Sequence, residues 1–510
     1  MPVEPKPRGM IDDRGVANAP FLWLRSAGGR VEARGLTTCH LGTPLDFGRE
    51  TPGGVWAEWT WDGARLLVRN DRYGLYPLFY CAVGGALGIS PSLPRLLLEG
   101  APAELDEPAL AVFLRTGYYL GEDTPFRAIR VLPPNATLEW SDGQLQVDGR
   151  FTMAEARSLG RGEAIDGYIT RFREAVRRRL PTSGEYIMPL SGGRDSRHIL
   201  LEACALDCRP SVCLTVRHHP PRWDEDVELA ARVAEALGLE QVVLDQTEPR
   251  LQAELRKNLT TSFGSDEGTA FMVMGDYLDG RTRAVFDGIG GDFLSSGRFL
   301  TERRLALVEA GQLTELADDL LSKSPRVPSL LRDDVRPRFG RRVAIERLRA
   351  ELERHMVAPN PITSYIFWNR CRREIALFPF NFYGQEIEKI CPYLDHDVFD
   401  FLMSLPPAIV LDRTFHAETI QRAFPAHAQI PFEPQGSPFR FDERYRRDLL
   451  EQIADVGAYM GQAPPKLLSE QKVRERLAQH ARAGRELVQF GPQLMYALQL
   501  ERFISYLPHA

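Results

Sequence analysis

The chain has 510 residues, 44% hydrophobic and 26% charged, with a formal net charge of −6. That length exceeds one compact core and implies two or three domains. The acidic balance gives no reason to expect general nucleic-acid binding, and no apolar run approaches the length of a membrane span. Seven cysteines in so long a chain fit reduced thiols and a cytoplasmic location. The opening MPVEPKPRGMIDDRG has no apolar core of a signal peptide.

In chain order, the first third reads as β-rich. Short alternating runs such as VWAEWTW and ATLEW are broken by G-G, D-G and N-D pairs, which signal hairpins. Between them DEPALAVFLRTGYYL reads as a helix. The character changes near Arg150, and GEAIDGYITRFREAVRRRL sets Tyr168, Phe172 and Val176 on one helical face. Strands and helices then alternate: YIMPL, DSRHILLEACAL, PSVCLTV, WDEDVELAARVAEALG, EQVVLD, EPRLQAELRKNL and AVFDG. That order predicts a parallel, doubly wound sheet with helices on both faces. After about Phe299 the chain reads as mostly helical, with KSPRVPSLLRDDVRP as a connection. Cys204, Cys208 and Cys213 fit no common ligand spacing and read as buried free thiols.

The turn after YIMPL lies where open α/β sheets bind ligands. Ser191, Gly192 and Gly193 let the backbone bend and bring its N–H groups near an anion, and the following helix adds its positive end. Asp195 suits a phosphate site only with a cation between, and Mg²⁺ takes carboxylate and phosphate oxygens together. Ser196 can cap the helix or donate to a phosphate oxygen. Neither the Walker A pattern nor G-x-G-x-x-G is present. The plainer alternative is a Gly-rich turn in which Asp195 and Ser196 only cap the helix.

L-S-G-G-R-D-S resembles the pyrophosphate (PP) loop of ATP pyrophosphatases, which cleave ATP between its α and β phosphates. Three further stretches resemble the asparagine synthetase family. They are WDGARLLVRNDRYGLYPLFYCAVGGALGIS with the segment through ATLEW, AVFDGIGGDFLSSGR, and EKICPYLDHDVFDFLMSLPP. The resemblance implies a degenerate, glutaminase-like N-terminal domain (residues 1–155), an α+β Ntn-hydrolase β-rich sandwich. A PP-loop synthetase domain (156–510) would follow, α/β and doubly wound with a helical C-terminal part. It also implies ATP and Mg²⁺. Ser191 to Ser196, Arg194 included, and Gly290 would hold the phosphates. Leu190, Val216 and Gly288 would flank adenine, and Asp195 and Asp292 would clamp the metal.

Departures narrow the expectation. The family's glutaminases carry Cys after the initiator Met; here Pro2 follows Met1 and the first cysteine is Cys39. Ile289 stands where asparagine synthetases carry Glu and β-lactam synthetases a nearby Tyr. The pattern is that of β-lactam and carbapenam synthetases and lasso-peptide cyclases, which join a carboxylate to an amine of the same molecule. The family's late Lys is missing. Arg440 is the nearest substitute; Lys466 and Lys472 come later, and Arg194 and Arg197 lie in the loop itself. If NRCRREIALF is helical, Arg370 and Arg373 share a face and Glu374 lies four residues from Arg370. That face is either solvated and ion-paired or a substrate site. Glu374 or Glu388 is the expected general base.

The expectation is an AMP-forming carbon–nitrogen ligase that closes a lactam or macrolactam in natural-product or lasso-peptide biosynthesis. Its partners would be a small-molecule or peptide substrate and a precursor peptide or maturation protein. Three alternatives stand beside it: an ammonia-using amidase of a small acid, a PP-loop enzyme that modifies tRNA, and a non-catalytic scaffold.

Overall fold

The structure is a computed structural model. It describes residues 16, 18–27, 30–48, 51–181, 185–218, 225–321, 327–433, 442–483 and 490–507. The first ten strands are β1 (Leu22–Ala27), β2 (Arg30–Gly35), β3 (Thr38–Leu45), β4 (Gly53–Trp61), β5 (Arg65–Asn70), β6 (Phe79–Val83), β7 (Ala86–Ser90), β8 (Ile129–Val131), β9 (Thr137–Ser141) and β10 (Gln144–Asp148). They form two antiparallel five-stranded sheets, ordered β2-β1-β7-β6-β8 and β10-β9-β5-β4-β3. Alternation sets the buried face: in β4 the odd positions Val55, Ala57, Trp59 and Trp61 are buried. The D-G signal is a two-residue hairpin turn. Asp142 and Gly143, at φ 50° and 77°, join β9 to β10 with the double positive φ of a type I′ turn. The DEPALAVFLRT helix runs Glu107–Thr116, with Asp106 capping it through a bond from the Ala109 N–H.

After β10 the chain reaches the helix Arg161–Arg177, which buries Tyr168, Phe172 and Val176 on one face. Five parallel strands follow: β11 (Ile187–Pro189), β12 (Val212–Val216), β13 (Gln241–Leu244), β14 (Ala284–Phe286) and β15 (Glu388–Ile390). Their order is β13-β12-β11-β14-β15. The chain therefore moves outward from β11 to β13, then crosses back and continues from β14 on the other side. The reversal falls between β11 and β14, which is where such sheets bind ligands. β15 is an edge strand inside a stretch whose sequence reads as the opening of a helix. The helix begins only at His396, after a 3₁₀ turn at Pro392–Leu394.

The F-W-N-R-C-R-R-E-I region is helical but wound as a π-helix, Phe367–Ile375. The wider turn separates the arginines that a 3.6-residue period would align. Arg372 and Arg373 turn to the N-terminal sheets: Arg372 donates to the Gly74, Gly121 and Leu132 carbonyls, and Arg373 to those of Gly121 and Asp123. Arg370 points the other way, with its Nε 3.1 Å from Glu374. The π-helix is thus the seam between the N-terminal sheets and the parallel sheet.

Candidate functional site

The loops after β11 and β14 close one side of a cleft of about 550 Å³. Leu190, Ser191, Asp195, Ser196, Val216, Gly288, Ile289 and Gly290 all line it. Gly192, Gly193 and Arg194 shape the loop from behind. The first loop is held by its own hydroxyls. Ser196 Oγ accepts the Ser191 N–H at 3.0 Å, and Ser191 Oγ accepts the Gly193 N–H at 3.2 Å. Arg194 occupies the cap position of the helix Asp195–Ala205 and lies over the Phe432 ring at 5.3 Å.

Asp195 joins the two loops. Its Oδ2 accepts the Asp292 N–H at 2.8 Å. A Cβ on Gly291 would stand 2.5 Å from the Asp195 carboxyl carbon, so only glycine lets the second loop pack there. Burial, and then the like charge of Asp292, lift the Asp195 carboxyl well above the usual carboxylate range. The cation in reach of Asp292 is Arg298, at 3.5 Å. Asp195 lines the cleft and Asp292 does not, but the Asp292 charge is close enough to raise the Asp195 carboxyl, and two neighbouring carboxyls of this kind are the donor set of a hard divalent cation. Mg²⁺ therefore fits these residues.

Two further carboxylates line this end, and both escaped sequence reasoning. Asp287, at the start of D-G-I-G-G-D, is pushed up to about 6 by burial, against a bond from the Ile289 N–H. Asp226, in the helix Glu225–Ala236, accepts the Gly192 N–H at 2.5 Å. The acidic W-D-E-D start of that helix was the available signal, but nothing in it specifies a contact with a loop thirty-odd residues earlier. His218, the one described histidine of R-H-H-P-P, also lines the cleft, while His219 to Pro221 lie outside the described residues.

The opposite end of the cleft is walled by Asp266, Glu267, Gly268, Thr269 and Phe378. Glu374 stands behind this wall, 1% exposed. Its Oε2 meets Arg370 and its Oε1 accepts from Ser265 Oγ at 3.3 Å. Carboxylate oxygens of Asp266, Glu267 and Glu374 all lie within 4.8 Å of one another. Burial lifts the Glu374 carboxyl well above its usual range, with Arg370 opposing.

Several expectations need correction. Glu388 opens β15, at the end of the sheet away from the cleft, because the strand runs parallel to its neighbours and only its carboxyl end faces the ligand side. It lines a separate cavity of about 190 Å³ with Lys389 and Arg178. Arg197 is not free for phosphate: it is 2% exposed and donates to the Gly192, Ile430 and Pro431 carbonyls. Lys472 binds the Leu331 carbonyl and Asp333, and neither it nor Lys466 lines the cleft. Arg373 does not share a face with Arg370. Cys213 is buried in β12, its thiol pushed up to about 12, but Cys204 and Cys208 are only half-buried. Arg440 and Pro2 lie outside the described residues.

Residues 49–152 match the family model of the glutamine amidotransferase domain, and residues 168–369 that of asparagine synthase. The two matches, in this order, support the asparagine synthetase family. No curated protein matches the chain. Among solved structures, the U34-tRNA thiolase NcsA from Methanococcus maripaludis with its 4Fe–4S cluster is similar at 12% identity. That match covers 66% of this chain and 91% of the thiolase, with a TM-score of 0.25. Glutamine phosphoribosylpyrophosphate amidotransferase from B. subtilis, complexed with ADP and GMP, is similar at 13% identity over 54% of this chain and 59% of its own, with a TM-score of 0.15. Neither likeness carries further argument. The asparagine synthase match supports an ATP-dependent, amide-forming carbon–nitrogen ligase of the PP-loop type.

Proposed function

We propose that this ligase adenylates a substrate carboxylate and joins it to an amine of the same molecule, closing a lactam or macrolactam ring in a natural product or peptide. The observation that carries the reading is the junction of the two loops at Asp195, facing the cleft that Asp266 and Glu267 also line, with Glu374 buried behind them. A carboxylate oxygen attacks the α-phosphorus of ATP; the bond to the β-phosphate oxygen breaks and pyrophosphate leaves. The amine nitrogen then attacks the acyl carbon, the acyl carbon–oxygen bond breaks, and AMP leaves. Mg²⁺ held by Asp195 and Asp292 would neutralise charge on the pyrophosphate.

The acidic wall serves the second step. Asp266 and Glu267 attract an ammonium into the cleft, and Glu374, made more basic by burial and within 4.8 Å of both, takes up the proton behind them. Holding amine and acyl carbon together is worth up to roughly 7–11 kcal/mol. Ile289 has no group to bind or deprotonate an amine, which moves that work to the wall. A substrate amine, rather than glutamine, as nitrogen donor is supported by the described N-terminal thiols. Burial pushes both Cys39 and Cys81 up to about 11, far from a ready thiolate.

The test is incubation with Mg-ATP and candidate amino acids and peptides, following pyrophosphate and AMP. Release of both, dependent on a substrate bearing acid and amine together, supports ring closure. Release that needs added ammonium with a simple acid replaces it with the small-acid amidase. Glutamine added alone should yield no glutamate.

A further inference from the structure

Asp195 is fixed by more than its own loop. The helix Phe415–Ala423, beyond the stretch matched by the asparagine synthase model, places His416 beneath it, fully buried. His416 Nδ1 lies 2.8 Å from Ser295 Oγ and 3.5 Å from Asp195 Oδ1. Its Nε2 faces Tyr168 OH at 3.4 Å, Tyr393 OH at 3.4 Å and His198 Nδ1 at 3.3 Å.

Counting protons settles which nitrogen carries hydrogen. Ser295 Oγ donates to the Gly291 carbonyl at 2.7 Å, so towards His416 it is an acceptor. An ionised Asp195 carboxylate is acceptor only. Two acceptors on one side require Nδ1–H. On the other side Tyr168 and His198 have protons to give, and Tyr393 OH donates to the Asp195 carbonyl at 3.2 Å, so Nε2 is the acceptor. His198 Nε2 has no partner, which an unprotonated ring nitrogen tolerates better than an N–H, and this fits a His198 that donates from Nδ1.

We propose that His416 is a positioning residue for Asp195: its Nδ1–H bonds Ser295 Oγ and stands 3.5 Å from Asp195 Oδ1, so that the PP loop meets the second loop with its cation-facing oxygens preset. The inference rests on the Mg-ATP reading above. Asp195 Oδ2 is then held by the Asp292 N–H, while Oδ1 faces the positive end of the His416 Nδ1–H dipole at 3.5 Å. Ser295 belongs to the same short helix as Asp292, Gly291–Ser295, so one imidazole ties both halves of the clamp to the C-terminal helices. Partners that orient a metal ligand in this way commonly change metal affinity when removed.

The experiment measures Mn²⁺ binding to the full chain with ATP present, by electron paramagnetic resonance, in wild type, His416→Asn and His416→Gln. An Asn amide nitrogen falls near Nδ1 and a Gln nitrogen near Nε2. His416→Gln should weaken Mn²⁺ binding at least about 10-fold, and His416→Asn no more than about threefold, within the range seen for such supporting partners. Both should show similar losses in thermal midpoint, which a merely structural role would mirror in equal Mn²⁺ affinities. Equal affinity in wild type and His416→Gln overturns the inference while leaving the Mg-ATP reading intact. A wild type that binds no Mn²⁺ with ATP overturns both. Should His416→Gln fail to fold, the wild-type tautomer decides: ¹⁵N-histidine labelling and two-bond ¹H–¹⁵N correlation should show Nδ1–H at His416, and an Nε2–H form would contradict the assignment.

Discussion

The two ends of the cleft are built differently. The phosphate end comes from two short contiguous loops, each directly after a strand, and its groups are locked by serine hydroxyls, Asp226 and glycine contacts. The acidic end is gathered from the segment around Asp266–Thr269 and from the π-helix carrying Glu374, elements a hundred residues apart. On the proposed reading, the first is a cradle for ATP, a ligand common to many enzymes. The second sits on the seam with the N-terminal sheets, where Arg372 and Arg373 anchor the same helical segment that positions Glu374. On the same reading, the common chemistry is encoded locally and the substrate chemistry in tertiary placement.

The sharpest way to break this division is Asp195→Asn. Pyrophosphate release should fall by at least about 10²- to 10³-fold, while the thermal midpoint holds or rises because a buried, penalised carboxyl is gone. Full activity would remove Asp195 from the phosphate end. Glu374→Gln should act on the other end alone, slowing amide formation by about 10²-fold while substrate-dependent ATP–pyrophosphate exchange continues. Equal loss of both steps would mean that the ends do not divide the labour.

Arg197→Ala should cost on the order of 2 kcal/mol by urea unfolding, because the buried Gly192 and Ile430 carbonyls, and that of Pro431, lose a charged donor. An unchanged midpoint would show that the loop does not depend on that anchor.

Asp287 gives a pH signature in metal-free buffer. Its folded value, about 6, is raised above the ordinary 3.8. Its protonated form is therefore favoured by folding, and its contribution is full below about pH 4 and lost as pH rises through 6. Asp287→Asn should remove that slope, about 2–3 kcal/mol in all. A slope that persists would assign it elsewhere. Glu388→Ala is the smallest expected effect, less than about twofold on any rate constant, since no cleft contact is removed.

Legibility followed the same line. Alternation and D-G pairs marked the sandwich strands, and strand–helix alternation marked the parallel sheet, because periodicity is a local property. S-G-G-R-D-S and D-G-I-G-G-D were readable as strand-to-helix turns because their glycines and capping residues sit within six residues. The three-residue strand Glu388–Ile390 was not, being too short to show a period, so nothing in the sequence showed that Glu388 opens a strand away from the cleft. The π-helix broke the spacing rule that paired Arg370 with Arg373. Asp226 and His416 carry no motif of their own. Only the packing of distant elements against the loop reveals them.

The central claim is transfer of the adenylyl group to a carboxylate. The most direct test takes the acid that supports pyrophosphate release, labels its carboxylate with ¹⁸O, and examines the products by ³¹P nuclear magnetic resonance. The account predicts pyrophosphate and AMP in equal amounts, with one ¹⁸O in the AMP phosphate. Unlabelled AMP, or ADP with inorganic phosphate, would contradict it.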